Sequence, residues 1–217
     1  MKGGVVRLVM LGPPGAGKGT QAERFARERH VPRISTGDIL RAAVVSRTDI
    51  GRQAKAVMNA GRLVSDEVMI GIVRDRLAQP DVRSGFVLDG FPRTLVQAES
   101  LDDFVDDRAP LVVVDIEVPE ETLVRRLSTR LICSVCGTTA VPGAAVCAKC
   151  GGALTQRTDD DLDVIRERLQ VYGRETRSIV EFYRRRPTFR SVDGDQPQDH
   201  VAADIAAAIA SVEGVRQ

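Results

Sequence analysis

The chain has 217 residues, 43% of them apolar, and a formal net charge of +1; that is enough for one sizeable core with inserted subdomains and too balanced for an electrostatic nucleic-acid binder. Residues 1–4 lead into a short apolar strand rather than a signal-type apolar region with a cleavage site, and no segment approaches the roughly 20 apolar residues of a membrane span, so a soluble cytoplasmic protein is expected. Among 31 basic residues only Lys2, Lys18, Lys55 and Lys149 are lysines, so an isolated arginine carries little weight and only arginines inside longer motifs count.

The first expected strand, residues 5–11, runs directly into Gly12-Pro13-Pro14-Gly15-Ala16-Gly17-Lys18-Gly19-Thr20 and then a helical pattern over 18–29. This strand, turn and helix layout presents backbone N–H groups to a polyphosphate: glycines let the loop curl, and the helix N-terminus adds positive potential. Lys18 is placed to reach the β- and γ-phosphates. A glycine-rich turn joining strand to helix is the bland alternative. Gly19 stands where Ser or Thr usually follows the lysine, with the hydroxyl one place later at Thr20, which points away from direct Mg²⁺ ligation of the GTPase kind.

Further along, short apolar runs predict strands at 86–88 and 111–116, a fourth near 189–192, and a short candidate ending at Ile34. Helical patterns cover 66–78, 95–104, 120–130, 162–185 and 201–212. The alternation predicts an α/β fold, a doubly wound parallel sheet with ligands at the strand C-termini. Two stretches do not read as layers of that sheet, 35–64 and 131–160; both read as inserted lids, leaving 1–34, 65–130 and 161–217 as the core.

All four cysteines fall in the second stretch as Cys133-x2-Cys136 and Cys147-x2-Cys150, each pair followed by glycine. In a reducing compartment this favours a tetrahedral, structural Zn²⁺, since two knuckles bring four thiolates to one metal and leave no open position for catalysis. Pro142-Gly143 is suited to reverse the ten-residue spacer. Disulfides or a redox dithiol are the alternatives. Lys149 is the sole basic residue between Cys133 and Cys150, too little for a phosphate footprint.

The Gly-Lys-Gly-Thr-Gln run at 17–21 resembles nucleoside monophosphate kinases, and the adenylate kinase family in particular. Ser35-Thr36-Gly37-Asp38-Ile39-Leu40-Arg41, Gly61-Arg62-Leu63-Val64 and Phe86-Val87-Leu88-Asp89-Gly90-Phe91-Pro92-Arg93 extend the likeness, which covers nearly the whole chain. It implies a P-loop fold with an AMP-binding lid at 35–64 and a zinc-bearing lid at 131–160. Gly15, Ala16, Gly17, Lys18, Gly19 and Thr20 would then cradle ATP. The resemblance places Thr36, Arg41, Arg62, Leu63, Val64, Gly90, Phe91, Pro92, Arg93 and Gln97 around AMP, with Arg41 and Arg93 on its phosphate and the Gln97 amide on adenine. Thr36 and Arg41 read equally as a helix cap and a wet face.

Asp89, delivered by a strand to the sheet edge, would order Mg²⁺ through its water shell. Arg126 and Arg130, at i,i+4 on one expected helix face, and Arg157 and Arg168 at the lid exit match the arginines that the family gathers around the phosphates. Asp159 and Asp160 would orient them, or simply begin a helix. Gln196 falls in a loop near the ATP adenine. The hairpin is shorter than most of its kind and lacks the usual Tyr-His, and no lysine stands in the C-terminal loop, so ATP contacts from Thr139 and Ala140 are not carried over.

The implied reaction is reversible γ-phosphoryl transfer from MgATP to AMP, giving two ADP and serving adenine nucleotide homeostasis, on a monomer. It needs alignment and charge stabilisation rather than a covalent intermediate, which accounts for the lack of a Ser-His-Asp set. A UMP or CMP kinase shares much of the apparatus. A zinc-bearing nucleotide switch or nucleic-acid-binding ATPase is the reading from another class.

Overall fold

The computed structural model describes residues 5–105, 109–141 and 143–213; the turn expected at Pro142 and the leading residues 1–4 lie outside that description. In chain order the strands are β1 Val6–Leu11, β2 Arg33–Ser35, β3 Gly85–Asp89, β4 Leu111–Glu117, β5 Leu131–Cys133, β6 Leu154–Gln156 and β7 Phe189–Asp193. The helices are α1 Lys18–Arg29, α2 Thr36–Val45, α3 Asp49–Asn59, α4 Asp66–Leu77, α5 Leu95–Phe104, α6 Glu120–Ser128, α7 Leu162–Val171, α8 Arg177–Arg184 and α9 Gln198–Glu213.

Five strands form one parallel sheet in the order β2-β3-β1-β4-β7. Their continuous apolar runs divide between two faces with period two. Val6, Leu8 and Met10 of β1 join Val87, Val112, Val114 and Ile116 under α1 and α9. Val9 and Leu11 turn the other way, to Phe86, Leu88 and Val113 under α4, α5 and α8. Each wholly buried side chain of this size stabilises the fold by about 1.5–3 kcal/mol relative to exposure, so the sheet is a rigid platform whose C-terminal edge can hold a site. This is the doubly wound α/β architecture expected. Among the described residues no helix is long and apolar enough to cross a membrane.

Two segments leave the platform. Between β2 and α4, α2 and α3 form a helical pair capped by Ser35, whose Oγ accepts from Asp38 N at 3.3 Å, and by Thr48, whose Oγ1 accepts from Gly51 N at 3.1 Å. The cap is therefore Ser35 and not Thr36, which is the first helical residue. Between α6 and α7, β5 and β6 pair antiparallel, Leu131 opposite Gln156, and the cysteines lie in and between them.

Two helical readings need correction. The pattern read over 120–130 ends at Ser128: Thr129, at φ −101° and ψ 0°, is the C-cap, and the Ser128 and Thr129 hydroxyls both donate to Arg125 O in this last turn. Arg130 consequently lies beyond the helix and does not share a face with Arg126. The single pattern over 162–185 is interrupted by a π-turn at Tyr172–Thr176, where Thr176 Oγ1 donates to Arg93 O at 3.0 Å. Such bulges frequently mark functional sites. Smaller shifts are at β2, which extends to Ser35, and α9, which begins at Gln198.

Candidate active site

The loop after β1 is set by its glycines. A Cβ at Gly12, φ +133°, would lie 2.6 Å from Ile116 O, so the loop passes against β4 only without a side chain there. Gly17, also left-handed, starts α1, whose first turn contains no acidic residue; the helix N-terminus is therefore left positive and open to an anion. Lys18 Nζ curls back to donate to Gly12 O at 2.7 Å and Pro13 O at 2.9 Å. Burial pulls its pKa down to about 8, against the opposing pull of Asp89 and Asp115.

Those two carboxylates flank β1. Register pairs Met10 with Asp89 on β3 and Leu11 with Asp115 on β4, so both stand at the strand ends beside the loop. Asp89 is held by Arg33 Nη2 at 2.8 Å. Asp115 is 4% exposed with Oδ1 unbonded; burial first, then Glu117, raises its pKa to about 6.

Beyond Lys18 an open cleft runs between the loop, the α2–α3 insert and α7. Lys18, Thr36, Arg41, Arg62, Leu63, Val64, Gly90, Pro92, Arg93, Gln97, Arg157 and Arg168 all line it. Thr36 Oγ1 donates to Gly90 O at 2.8 Å, closing the two strand-end loops together. Gln97 is oriented from both sides: Oε1 accepts from Arg93 N at 2.8 Å and Nε2 donates to Asp66 at 2.7 Å. Arg93 Nε donates to Gly90 O at 2.9 Å.

The arginines are fixed by the two aspartates of the segment before α7. Arg157 grips Asp159 bidentately at 2.7 and 2.8 Å, Arg130 grips Asp160 at 2.5 and 2.7 Å, and Arg168 reaches both. Asp159 and Asp160 thus orient guanidinium groups rather than simply starting a helix, whose cap is Asp161. Burial is the main cause that lowers the pKa values of Arg41, Arg93 and Arg168, that of Arg168 to about 10, and repulsion from neighbouring arginines adds to it. Arg157 presses on all three. A site that disfavours its own cations in this way is short of negative charge and is suited to an anion such as a phosphate chain.

Some expected residues stand apart from the cleft. Phe91 is wholly buried in the core beneath it, and Ala16 packs into the opposite core cluster. Arg126 Nη2 donates to Gly194 O at 2.9 Å and faces Asp195. Gln196 is tied to Asp193 O and Asp204 in the exposed loop after β7. Gly15, Gly17, Gly19 and Thr20 belong to the loop and first helical turn. Arg33, Asp38 and Asp115 carry no role in the sequence reading: Asp115 ends an apolar run as Asp89 does, a signal open to reading, whereas Arg33 has no mark among so many arginines.

The four cysteines are free thiols whose sulfurs all lie within 4.8 Å of one another. Contacts of 3.4 Å between Cys133 and Cys150, 3.5 Å between Cys136 and Cys150, and 3.6 Å between Cys136 and Cys147 come close to the separation of about 3.8 Å that four Zn–S bonds of about 2.3 Å impose. The amides of Cys136 and Val135 donate to Cys133 Sγ and lower its pKa, which favours the thiolate that a metal needs. The donor set fits zinc.

The family model described as adenylate kinase matches residues 10–188. The chain is 48% identical to the adenylate kinase of Moorella thermoacetica over 201 residues, 88% of this chain and 92% of that one. It is 47% identical to that of Desulfitobacterium hafniense over 94% of this chain and 98% of the relative, and 44% identical to that of Archaeoglobus fulgidus over 96% and 100%. With a phosphate loop, a strand-end carboxylate and an arginine-lined cleft on one parallel sheet, the chain belongs to the adenylate kinase family, phosphotransferases that convert ATP and AMP into two ADP.

Proposed function

We propose that the cleft holds ATP and AMP end to end, with the γ-phosphoryl between Lys18 and Arg93. The observation that carries this is that Lys18 and Arg93 line the same cleft together with Arg41, Arg157 and Arg168. In this reading residues 15–20 hold the ATP phosphates through backbone N–H groups and Lys18. Arg41 and Arg93 hold the AMP phosphate, while Thr36, Gln97 and the backbone of residues 62–64 and 90–92 frame its base. An AMP phosphate oxygen is already a competent nucleophile, so alignment and charge neutralisation suffice.

Segment 35–64 acts as the AMP-side lid and segment 131–160 as the ATP-side lid on the core of 1–34, 65–130 and 161–217. Closure excludes water, which would otherwise turn transfer into hydrolysis. Arg126 and Arg130 join the phosphates only on closure, by exchanging Gly194 O and Asp160 for phosphate oxygens, and Gln196 stands near the adenine of ATP. Asp89 would hold the water shell of the Mg²⁺ that accompanies ATP, which would supply neutralisation of phosphate charge. Cys133, Cys136, Cys147 and Cys150 hold one structural zinc; elemental analysis of reduced protein is expected to give about one zinc per chain. The enzyme works as a soluble, cytoplasmic monomer with no nucleic-acid or membrane partner.

A coupled assay of ADP formation with AMP, UMP and CMP as acceptors tests the reading, with AMP expected to be strongly preferred. Lys18→Met should lower turnover by at least about 100-fold while circular dichroism is unchanged; near-normal turnover would remove Lys18 from the chemistry. Because burial holds the Lys18 pKa near 8, the negative charge of ATP is expected to restore its proton on binding. Calorimetry at pH 8.5 in buffers of different ionisation heat should therefore show net proton uptake, and ATP affinity should fall as pH rises past about 8.

A further inference from the structure

Arg33 lies outside every motif used above, yet it joins three elements around the cleft. From β2 its Nη2 pairs with Asp89 Oδ2 at 2.8 Å and its Nη1 with Asp38 Oδ2 at 3.1 Å, with Glu23 of α1 3.6 Å away. The other Asp38 oxygen accepts from Arg41 Nη2. A continuous ion-pair chain, Asp89–Arg33–Asp38–Arg41, thus connects the carboxylate beside the phosphate loop to an arginine of the monophosphate side.

The phosphate loop closes directly over this chain. A Cβ at Gly19 would lie 3.2 Å from Arg33 Nη2 and 3.3 Å from Asp89 Oδ2, tighter than neighbouring groups tolerate without moving. The bare position after Lys18 is therefore room for the pair. The Arg33 side chain is only 23% exposed and that of Asp89 12%, so water screens the contact weakly. Arg33 Nε is buried with no acceptor; the side chain is positioned by its two Nη groups on diverging carboxylates, a task for a planar guanidinium and not for a single ammonium.

We propose that Arg33 is a positioning residue that couples the metal side of the site to the AMP side. The proposal rests on the roles given above to Asp89 and Arg41. By bridging, Arg33 takes up part of the charge of both carboxylates. Removing it frees Asp89 to act more strongly on a divalent cation and leaves Asp38 to bind Arg41 alone, so that an incoming phosphate must compete harder for that guanidinium. The two ends respond in opposite directions, which a general loosening of the site would not produce.

The test uses the whole enzyme carrying Arg33→Gln, with two readouts. Calorimetric titration with AMP in metal-free buffer is expected to show affinity weakened roughly fivefold. The Mg²⁺ concentration for half-maximal ADP formation is expected to fall. Arg33→Lys should restore the Mg²⁺ dependence, since charge stays beside Asp89, but not the AMP affinity, since one ammonium does not span Asp89 and Asp38. In an Asp38→Asn background, Arg33→Gln should leave AMP affinity unchanged. Unaltered AMP affinity in Arg33→Gln, or weakening at both ends together, overturns the coupling. Asp89→Asn separates the failures: if it leaves the Mg²⁺ dependence unmoved, the role of Asp89 falls and with it the metal half of the proposal, whereas a shift there with no effect of Arg33→Gln rejects Arg33 alone.

Discussion

The two inserted segments solve the same problem, holding a small piece of chain outside the central sheet, with different physics. The α2–α3 segment docks by apolar packing: Leu40 and Ala54 are buried in the core cluster under one sheet face, with Ile39, Met58 and Val64 against it. The cysteine segment has almost nothing to bury. Cys133 and Cys147 are its buried apolar residues, while Val135 is 75% exposed and Val141 and Val146 are more than half exposed. A segment without a core needs another source of cohesion, and the sulfur cluster supplies it. In the reading proposed above, the α2–α3 segment is thus tied to the stability of the platform and the cysteine segment to its thiolate cluster and the zinc this would hold.

The sharpest way to break this contrast is to strip the zinc proposed for the four cysteines. Structural zinc in small thiolate sites is worth about 10–16 kcal/mol of folding free energy, far more than a 30-residue hairpin retains by itself. Chelation under reducing conditions is expected to raise amide exchange across 131–156 by orders of magnitude and to abolish most transfer, while amides of α2 and α3 stay protected. Equal loss of protection in both segments would show that they are not held independently. The converse experiment is Gly51→Ala. A Cβ there would meet Ala43 O at 2.0 Å and Ala43 C at 2.3 Å, so α3 must back away from α2 at a cost of about 2–3 kcal/mol. AMP affinity and α2–α3 protection should drop while zinc content and hairpin protection are unchanged.

The same contrast governs how much could be read from the chain. Apolar runs at β1, β3 and β4 and the cysteine spacing carry their meaning locally, because burial on both faces and metal ligation each need a fixed residue pattern. Lys18 is marked by the glycine loop after β1 and the cysteines by their spacing, whereas Arg93 and Gln97 are marked only by the likeness to the adenylate kinase family. What was not legible depends on partners far away in sequence. The spacing of Arg130 from Arg126 suits a helix face, yet the helix stops at Ser128 with Thr129 as its C-cap, and Asp160, thirty residues on, fixes the guanidinium. Arg33 looks like any other arginine until β2 sets it beside Asp89, fifty-six residues away. The π-turn before α8 is invisible to a 3.6-residue periodicity, which Val171, Ile179, Val180 and Tyr183 satisfy well enough on either side of it.

The smallest expected effect asks whether anything besides the metal fastens the cysteine segment. Lys149, between Cys147 and Cys150, reaches Glu23 of α1 at 3.9 Å, an ion pair between the hairpin and the platform. Both side chains are more than half exposed, 62% and 55%; at that distance in water the attraction is largely screened and offset by the entropy of holding two long side chains. Lys149→Ala should therefore change unfolding free energy by less than about 0.5 kcal/mol and leave turnover nearly untouched. Glu23 also faces Arg33 at 3.6 Å. If the contact were a latch, turnover of the wild type would depend on ionic strength, because salt would screen the pair and loosen the hairpin, and Lys149→Ala would lose that dependence. A flat response across 20–300 mM salt, in both proteins, would leave the thiolate cluster as the element that sets the hairpin's shape.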